Sequence, residues 1–192
     1  MTTVVVPAGR VVRWVENFSR RHGAAVLSVG DGALHGIAED GSTFVARLPF
    51  EREYAGAADP AAFAEAAAPP EDWGVLLIRK GGFAVARLSG TTITASKVGK
   101  RHVQGRTKAG GWSQQRFARR RDNQARAALE AADQHAARIL DGLTGPLVYG
   151  GIDDAVPDDA IRLPGHINDP RRDVLEKAVG DAQSAIVEVT NA

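Results

Sequence analysis

The 192-residue chain has no cysteine, no long apolar run and no obvious Ser-His-Asp set. The absence of cysteine excludes disulfide bonds and thiolate metal sites. The N-terminal MTTVVVPAGR lacks the basic start and long apolar core of a secretory signal. No segment approaches the roughly 20 apolar residues that a membrane-spanning helix needs. We therefore expect a soluble, cytoplasmic protein that has no membrane partner and needs no cofactor.

Positive charge is instead concentrated in one segment, residues 97–126. This segment contains ten Lys or Arg residues and a single acid, Asp122, so its formal charge is +9. The whole chain carries only +1, which leaves −8 for the other 162 residues. Such segregation is uncommon on a surface that merely faces water, and it predicts contact with a polyanion. The cations that we assign to this contact are Lys97, Lys100, Arg101, Arg106, Lys108, Arg116, Arg119, Arg120 and Arg126.

The second half of this segment begins a long amphipathic helix, predicted from Ser113 to about Leu140. At 3.6 residues per turn, the arginines share one face and apolar residues share the opposite face. Ser113 is the predicted N-cap and Gly142 the predicted stop. The Gly110-Gly111 pair therefore leads into a helix N-terminus, whose free N–H groups and positive dipole end favour phosphate. The apolar face is assigned to Ala125, Ala128, Leu129, Ala132, Ala136, Ile139 and Leu140.

The basic face of this helix has three interpretations: contact with nucleic acid, simple solvation, and pairing with an acidic protein. Glu130 and Asp133 come only after the basic half, so the first turns have almost no compensating acids. That pattern favours contact with nucleic acid over simple solvation of the basic face. Pairing with an acidic protein is the third and least favoured interpretation.

Residues 1–70 are predicted to form a small N-terminal αβ unit. The apolar spacing at 10–22 is helical, and three strands with intervening glycine turns are expected between residues 24 and 50. The Ala- and Pro-rich stretch at 51–72 includes a short helix at 59–68, with Asp59 as its cap, and marks the boundary to the next domain.

Residues 71–192 are predicted to form one further domain. A hairpin and a third strand follow one another from residue 73 to 98, and a strand at 143–152 follows the long helix. A helix at 171–182 and a closing strand at 185–190 complete the domain. Strands alternating with helices predict an α/β fold with a mixed β-sheet flanked by helices.

The sequence from Gly110 to Arg121, GGWSQQRFARRR, resembles the Gly-Gly-Gln loop and following helix in the central domain of eukaryotic and archaeal class I release factors. That family has Gly-Gly-Gln-Ser and then Arg-Phe-Ala-Arg-x-Arg. The preceding VQGRTKAGG is similar to the basic run of the release-factor-like peptidyl-tRNA hydrolases of ribosome quality control, the VLRF type. Chain order is also similar, so the resemblance covers residues 73–192. The matching positions are Gly110, Gly111, Ser113, Arg116, Phe117, Ala118, Arg119 and Arg121.

One departure from the release-factor pattern falls on the chemistry. Trp112 occupies the position of the catalytic glutamine, and the glutamines of this chain follow as Gln114 and Gln115. The VLRF type is similar in placing its glutamine after an intervening small residue. The resemblance therefore implies Gln114 as first and Gln115 as second candidate, on a loop opened by Gly110 and Gly111. Alternatively, both glutamines simply form the polar first turn of the helix.

The resemblance implies hydrolysis of the ester between a nascent peptide and the CCA end of tRNA, at the peptidyl transferase centre of the large ribosomal subunit. The arginine face would grip rRNA or tRNA phosphates, and His102 would contact phosphate. Trp112 would stack on a base or plug the helix start. Two alternatives remain: a non-catalytic ribosome- or RNA-binding rescue module, and an RNA endonuclease. The endonuclease rests on four aspartates, whose spacing favours solvation or capping over a metal site: Asp153, Asp154, Asp158 and Asp159.

Overall fold

The computed structural model describes residues 1–79, 82–100, 126, 129–152 and 156–192. The chain divides into two compact units. One unit combines residues 1–69 with residues 179–192, and the other contains residues 70–178. Each unit is built on a sheet in which five strands are described. The α/β class predicted from the sequence is therefore confirmed, but the strands form two separate sheets.

The element bounds follow the sequence signals closely. In the N-terminal unit, Gly23 with φ of 91° ends the first helix, and the Asp59 side chain accepts a hydrogen bond from the Ala62 N–H at 2.8 Å. The elements in chain order are β1 (Thr2–Pro7), α1 (Val11–His22), β2 (Ala25–Gly30), β3 (Ala33–Ala38), β4 (Thr43–Arg47), α2 (Pro60–Ala66), β5 (Trp73–Arg79), β6 (Gly82–Ser89), β7 (Thr92–Lys100), α3 (129–139), β8 (Leu147–Gly151), β9 (Ile161–Arg162), α4 (Arg172–Ala182) and β10 (Ser184–Thr190).

The first sheet has the strand order β1-β10-β4-β3-β2, with every neighbouring pair antiparallel. Helix α1 places Val11, Val15 and Phe18 in the core of this unit. Phe18 meets Phe44 of β4 edge-on, at 5.1 Å between ring centroids. The apolar side chains that recur every 3.6 residues in α1 and every second residue in β4 thus pack together into one apolar layer.

The position of β10 differs from the division predicted from the sequence. The sequence predicts a closing strand within 71–192, and the structure instead places this strand between β1 and β4 of the first sheet. Val187 is paired with Val4 on one side and with Ala46 on the other, and it is 1% exposed. Alternating apolar residues predict a strand but do not specify its neighbours, because every half-buried strand shows the same period.

Strand β1 is absent from the sequence-based prediction, and β4 is shorter than predicted. The sequence predicts a strand to Phe50, but β4 ends at Arg47 and Phe50 adopts φ of 61° within a 3-10 turn at Pro49–Glu51. The proline at position 49 contributes to this end, since proline cannot donate a ladder hydrogen bond.

The second sheet has the strand order β7-β6-β5-β8-β9. Strand β6 runs antiparallel to both of its neighbours, β7 and β5, whereas β8 and β9 run parallel to β5. Strands β5, β7, β8 and β9 therefore end at the same edge of the sheet, which we call the carboxyl edge. The first four residues of the cationic segment, 97–100, form the end of β7 at this edge.

Helix α3 packs on one face of the second sheet and confirms the predicted apolar face as far as it is described. The core on this face combines sheet residues with Ala132, which is fully buried. The predicted apolar residues Leu129, Ala136, Ile139 and Leu140 pack against the same cluster. No helix in the described part of the chain is long and apolar enough to cross a membrane.

Candidate nucleic-acid interface

Most residues predicted to act on RNA lie outside the described residues. Three of the predicted cations lie within them: Lys97 is exposed on β7, Lys100 ends that strand, and Arg126 is an exposed helical residue. The structure therefore defines how the two flanks of the segment are held. The candidates outside the described residues are Gly110, Gly111, Gln114, Gln115, Arg101, His102, Arg106, Lys108, Trp112, Arg116, Arg119 and Arg120.

The start of the segment is held by a glycine against an aromatic ring. Gly99 of β7 is the register partner of Phe83 on β6. A Cβ atom at position 99 would overlap the Cε1 atom of the Phe83 ring, so only glycine fits beneath the ring as it lies. Glycine inside a strand often marks such a close approach.

The flank after the segment meets the same ring. The imidazole of His135 on α3 stacks on Phe83 with 5.4 Å between ring centroids and 24° between ring planes. Arg138 Nη2 lies 3.3 Å from His135 Nδ1. Phe83 thus contacts both β7 and α3 and links the two ends of the cationic segment. Sequence reasoning missed this link, and only the glycine within a strand pattern gave a signal for it.

Substituting Gly99 by alanine is expected to displace the Phe83 ring and to weaken its stacking on His135. We expect a loss of about 1–3 kcal/mol in the free energy of unfolding, which is typical of overpacking. The measurement is urea unfolding, and the control is Gly180→Ala, since no atom lies within 4 Å of a Cβ built at that helical glycine. Equal stability of the two variants would contradict this account of Gly99.

A second contact network ties the end of α3 to the sheet. The Arg87 guanidinium donates two hydrogen bonds to the Asp72 carboxylate, at 2.8 and 3.0 Å. The same carboxylate accepts hydrogen bonds from the Thr144 N–H and hydroxyl, both at 2.9 Å. Arg87 also donates to the carbonyl oxygens of Asp141 and Gly142, which follow α3. Arg87 thereby satisfies carbonyl groups that the helix end leaves open.

These hydrogen bonds, first those from Arg87 and then that from the Thr144 backbone, hold the pKa of Asp72 well below its usual range. A carboxyl group with a depressed pKa in the folded state stabilises the fold above its unfolded pKa, about 3.9. That stabilisation is lost as the pH falls through the lower folded-state pKa.

Asp72→Asn is therefore expected to lower the melting temperature by several degrees at pH 7. The difference from wild type should shrink as the pH falls below about 4, because Asp72 of the unfolded wild-type chain then binds a proton while the folded carboxylate still does not. Thermal melts followed by circular dichroism between pH 7 and pH 2 measure both effects. Asp133→Asn, at an exposed position of α3, is the control and should melt like wild type. A gap from wild type that stays constant down to pH 2 would refute the role of the Asp72 charge.

Within the described ranges, no group of three or more His, Asp or Glu residues is placed to hold a metal ion. Of the four aspartates considered as a metal cluster, Asp158 and Asp159 are described. Asp153 and Asp154 lie outside the described residues.

A family model described as Actinobacteria/Chloroflexi VLRF1 release factor matches residues 71–188. The match confirms the resemblance to the VLRF type. It begins next to the start of the second unit at residue 70 and extends into β10. The whole cationic segment lies inside it, while residues 1–70 lie outside. No curated protein matches the chain.

Proposed function

The chain belongs to the Actinobacteria/Chloroflexi VLRF1 release-factor family, and we propose on this basis that it is a peptidyl-tRNA hydrolase acting on stalled ribosomal complexes. Membership of a release-factor family implies interaction with the ribosome. The observation that carries the hydrolase assignment is a Gly-Gly loop followed by two glutamines inside the matched range and inside the +9 segment. We place this loop at the CCA end of peptidyl-tRNA in the large subunit.

The proposed reaction is attack of water on the carbonyl carbon of the ester that joins the peptide to the terminal ribose. The bond between that carbon and the ribose oxygen breaks, the peptide leaves as a carboxylic acid that ionises, and the ribose oxygen takes a proton. Neutral glutamine is a poor base, so Gln114 would orient the water and stabilise developing charge. Gly110 and Gly111 would allow the backbone to approach the CCA end closely.

The cationic segment would supply binding without sequence specificity. Arginine and lysine side chains neutralise backbone phosphates, and such contacts position a protein on RNA. Lys97, the first residue of the segment, is exposed on β7. The network around Asp72 and the stacking on Phe83 would hold the flanks in place and thereby lower the entropic cost of binding RNA.

A non-catalytic rescue module is the alternative, and one observation favours it. Trp112 stands where the release-factor pattern has its glutamine. If neither displaced glutamine reaches the ester, the chain would retain the ribosome contact and lack hydrolysis.

The test is release of labelled peptide from peptidyl-tRNA bound to purified large subunits and to whole ribosomes. Co-sedimentation with the same particles measures binding, and a denaturing gel checks the length of the tRNA. Release with full-length tRNA supports the hydrolase. Binding without release supports the rescue module, and shortened tRNA identifies a nuclease.

A further inference from the structure

The carboxyl edge of the second sheet carries a polar cleft of about 440 Å³. Arg79, the last residue of β5, contributes one wall. The rest of its described lining comes from the stretch between β9 and α4 and from the first turn of α4. These residues are His166, Asn168, Asp169, Arg171, Asp173 and Val174. None of them belongs to the cationic segment.

The two arginines of this cleft are available to a ligand. Arg79 donates a hydrogen bond from Nη2 to His166 Nε2 at 2.9 Å, which orients the guanidinium without neutralising it. No ion pair joins Arg79 or Arg171 to another residue in the described ranges. A planar guanidinium matches the geometry of phosphate oxygens and binds them through paired hydrogen bonds.

The acidic residues of the cleft indicate which phosphate compound fits. Asp169 and Asp173 are exposed and line the same cleft as the arginines. A carboxylate repels phosphate but accepts a hydrogen bond from a ribose hydroxyl, as in sites that recognise a 2′-OH. Arginines for phosphate and aspartates for hydroxyl groups together suit a ribonucleotide better than free phosphate or DNA. The cleft volume falls within the range of about 300–1,000 Å³ that small-ligand sites have.

The strand register places this cleft beside the start of the cationic segment. Arg79 is the register partner of Gly82, and Gly82 is the partner of Lys100. Neighbouring strands lie about 4.8 Å apart, so the backbones of Arg79 and Lys100 are roughly 10 Å apart. An RNA strand held by the segment as it leaves β7 can therefore pass this cleft.

We propose that the cleft binds one nucleotide of the RNA that the cationic segment holds, with Arg79 and Arg171 on its phosphate and Asp169 and Asp173 on its ribose hydroxyl. The assignment rests on the proposed RNA-directed function. It adds a second RNA contact, in which the residues from 166 to 173 lie 40 or more positions after the end of the cationic segment.

The test is binding of the full chain to a fluorescent RNA hairpin with a 3′ CCA end, measured by anisotropy over a range of salt concentrations. Arg79→Gln and Arg171→Gln are each expected to weaken binding about 5- to 10-fold and to reduce the salt slope by about one. Arg13→Gln removes an equal charge from an exposed position of α1 and should change affinity less than about twofold. Asp169→Asn should reduce the preference for RNA over DNA of the same sequence, because it weakens the contact with the ribose hydroxyl and removes a charge that repels phosphate in both.

Equal affinities of Arg79→Gln, Arg171→Gln and Arg13→Gln would overturn the cleft assignment. If Arg79→Gln weakens the binding of free AMP but leaves RNA binding unchanged, the cleft binds a free nucleotide and the assignment to RNA is overturned. Peptide release measured in parallel separates this proposal from the hydrolase. If wild type releases no peptide but its RNA affinity depends on Arg79, only the hydrolase fails; if it releases peptide and Arg79→Gln binds RNA normally, only the cleft fails.

Discussion

Gln114→Ala is expected to reduce the rate of peptide release by about 10²- to 10³-fold while leaving binding to large subunits unchanged. Removal of one preorganised hydrogen-bond donor at a reacting centre typically has an effect of this size. The amide would act only on the attacking water and the developing charge, and phosphate contacts by the arginines would supply the affinity. Single-turnover release, with the variant saturating the complexes, measures the chemical step by itself.

The matched control for this substitution is Gln134→Ala, since Gln134 is an exposed glutamine on α3. Gln115→Ala distinguishes the two candidates in the loop and should have the smaller effect. A full loss on Gln115→Ala with normal release by Gln114→Ala would reassign the catalytic residue. Normal release by both variants would rule out a glutamine mechanism.

Val187→Asp is expected to lower the free energy of unfolding by about 3 kcal/mol or more. The valine is 1% exposed and belongs to the apolar core of the first sheet. An aspartate there loses the apolar contacts and must either bury a charge or bind a proton. Chemical denaturation measures the loss, and Thr190→Asp, at an exposed position of the same strand, should stay within about 0.5 kcal/mol of wild type.

Hydrogen exchange locates the damage that Val187→Asp causes. Because β10 lies between β1 and β4, amide protection should fall most in those two strands and in α1. The division predicted from the sequence places residues 185–190 in the same domain as β5 and β6. Protection lost mainly from β5 and β6 would support that division and contradict the strand order of the structure.

The two flanks of the cationic segment are held by contacts between residues distant in sequence. His135 reaches Phe83 across 52 positions, and Thr144 reaches Asp72 across 72 positions. Both contacts are made outside the cationic segment: Phe83 lies on β6, and Asp72 directly precedes β5. Flanks that are already fixed by such contacts would lower the entropic cost of binding RNA.

Local signals in the sequence were enough to predict most of the helices and strands. The apolar period of α1 and the Asp59 cap of α2 each involve residues a few positions apart. Such signals act within a turn or a strand, so they do not depend on the remainder of the chain. The charge segregation and the Gly-Gly motif likewise required only the order of residues. The order of residues also indicated the VLRF release-factor family, and the family match over residues 71–188 confirms it.

The tertiary structure decided which elements and side chains become neighbours. It places β10 beside β1, and Arg79 beside His166 at a distance of 87 positions along the chain. Neither pairing has a local signature, because strand partners and cleft walls depend on how distant segments pack and not on their own periodicity. Gln114 and Gln115 lie outside the described residues, so their catalytic role stays a prediction from the sequence. The sequence alone thus determined most of the elements and the family, and the packing of distant segments determined the two sheets and the cleft.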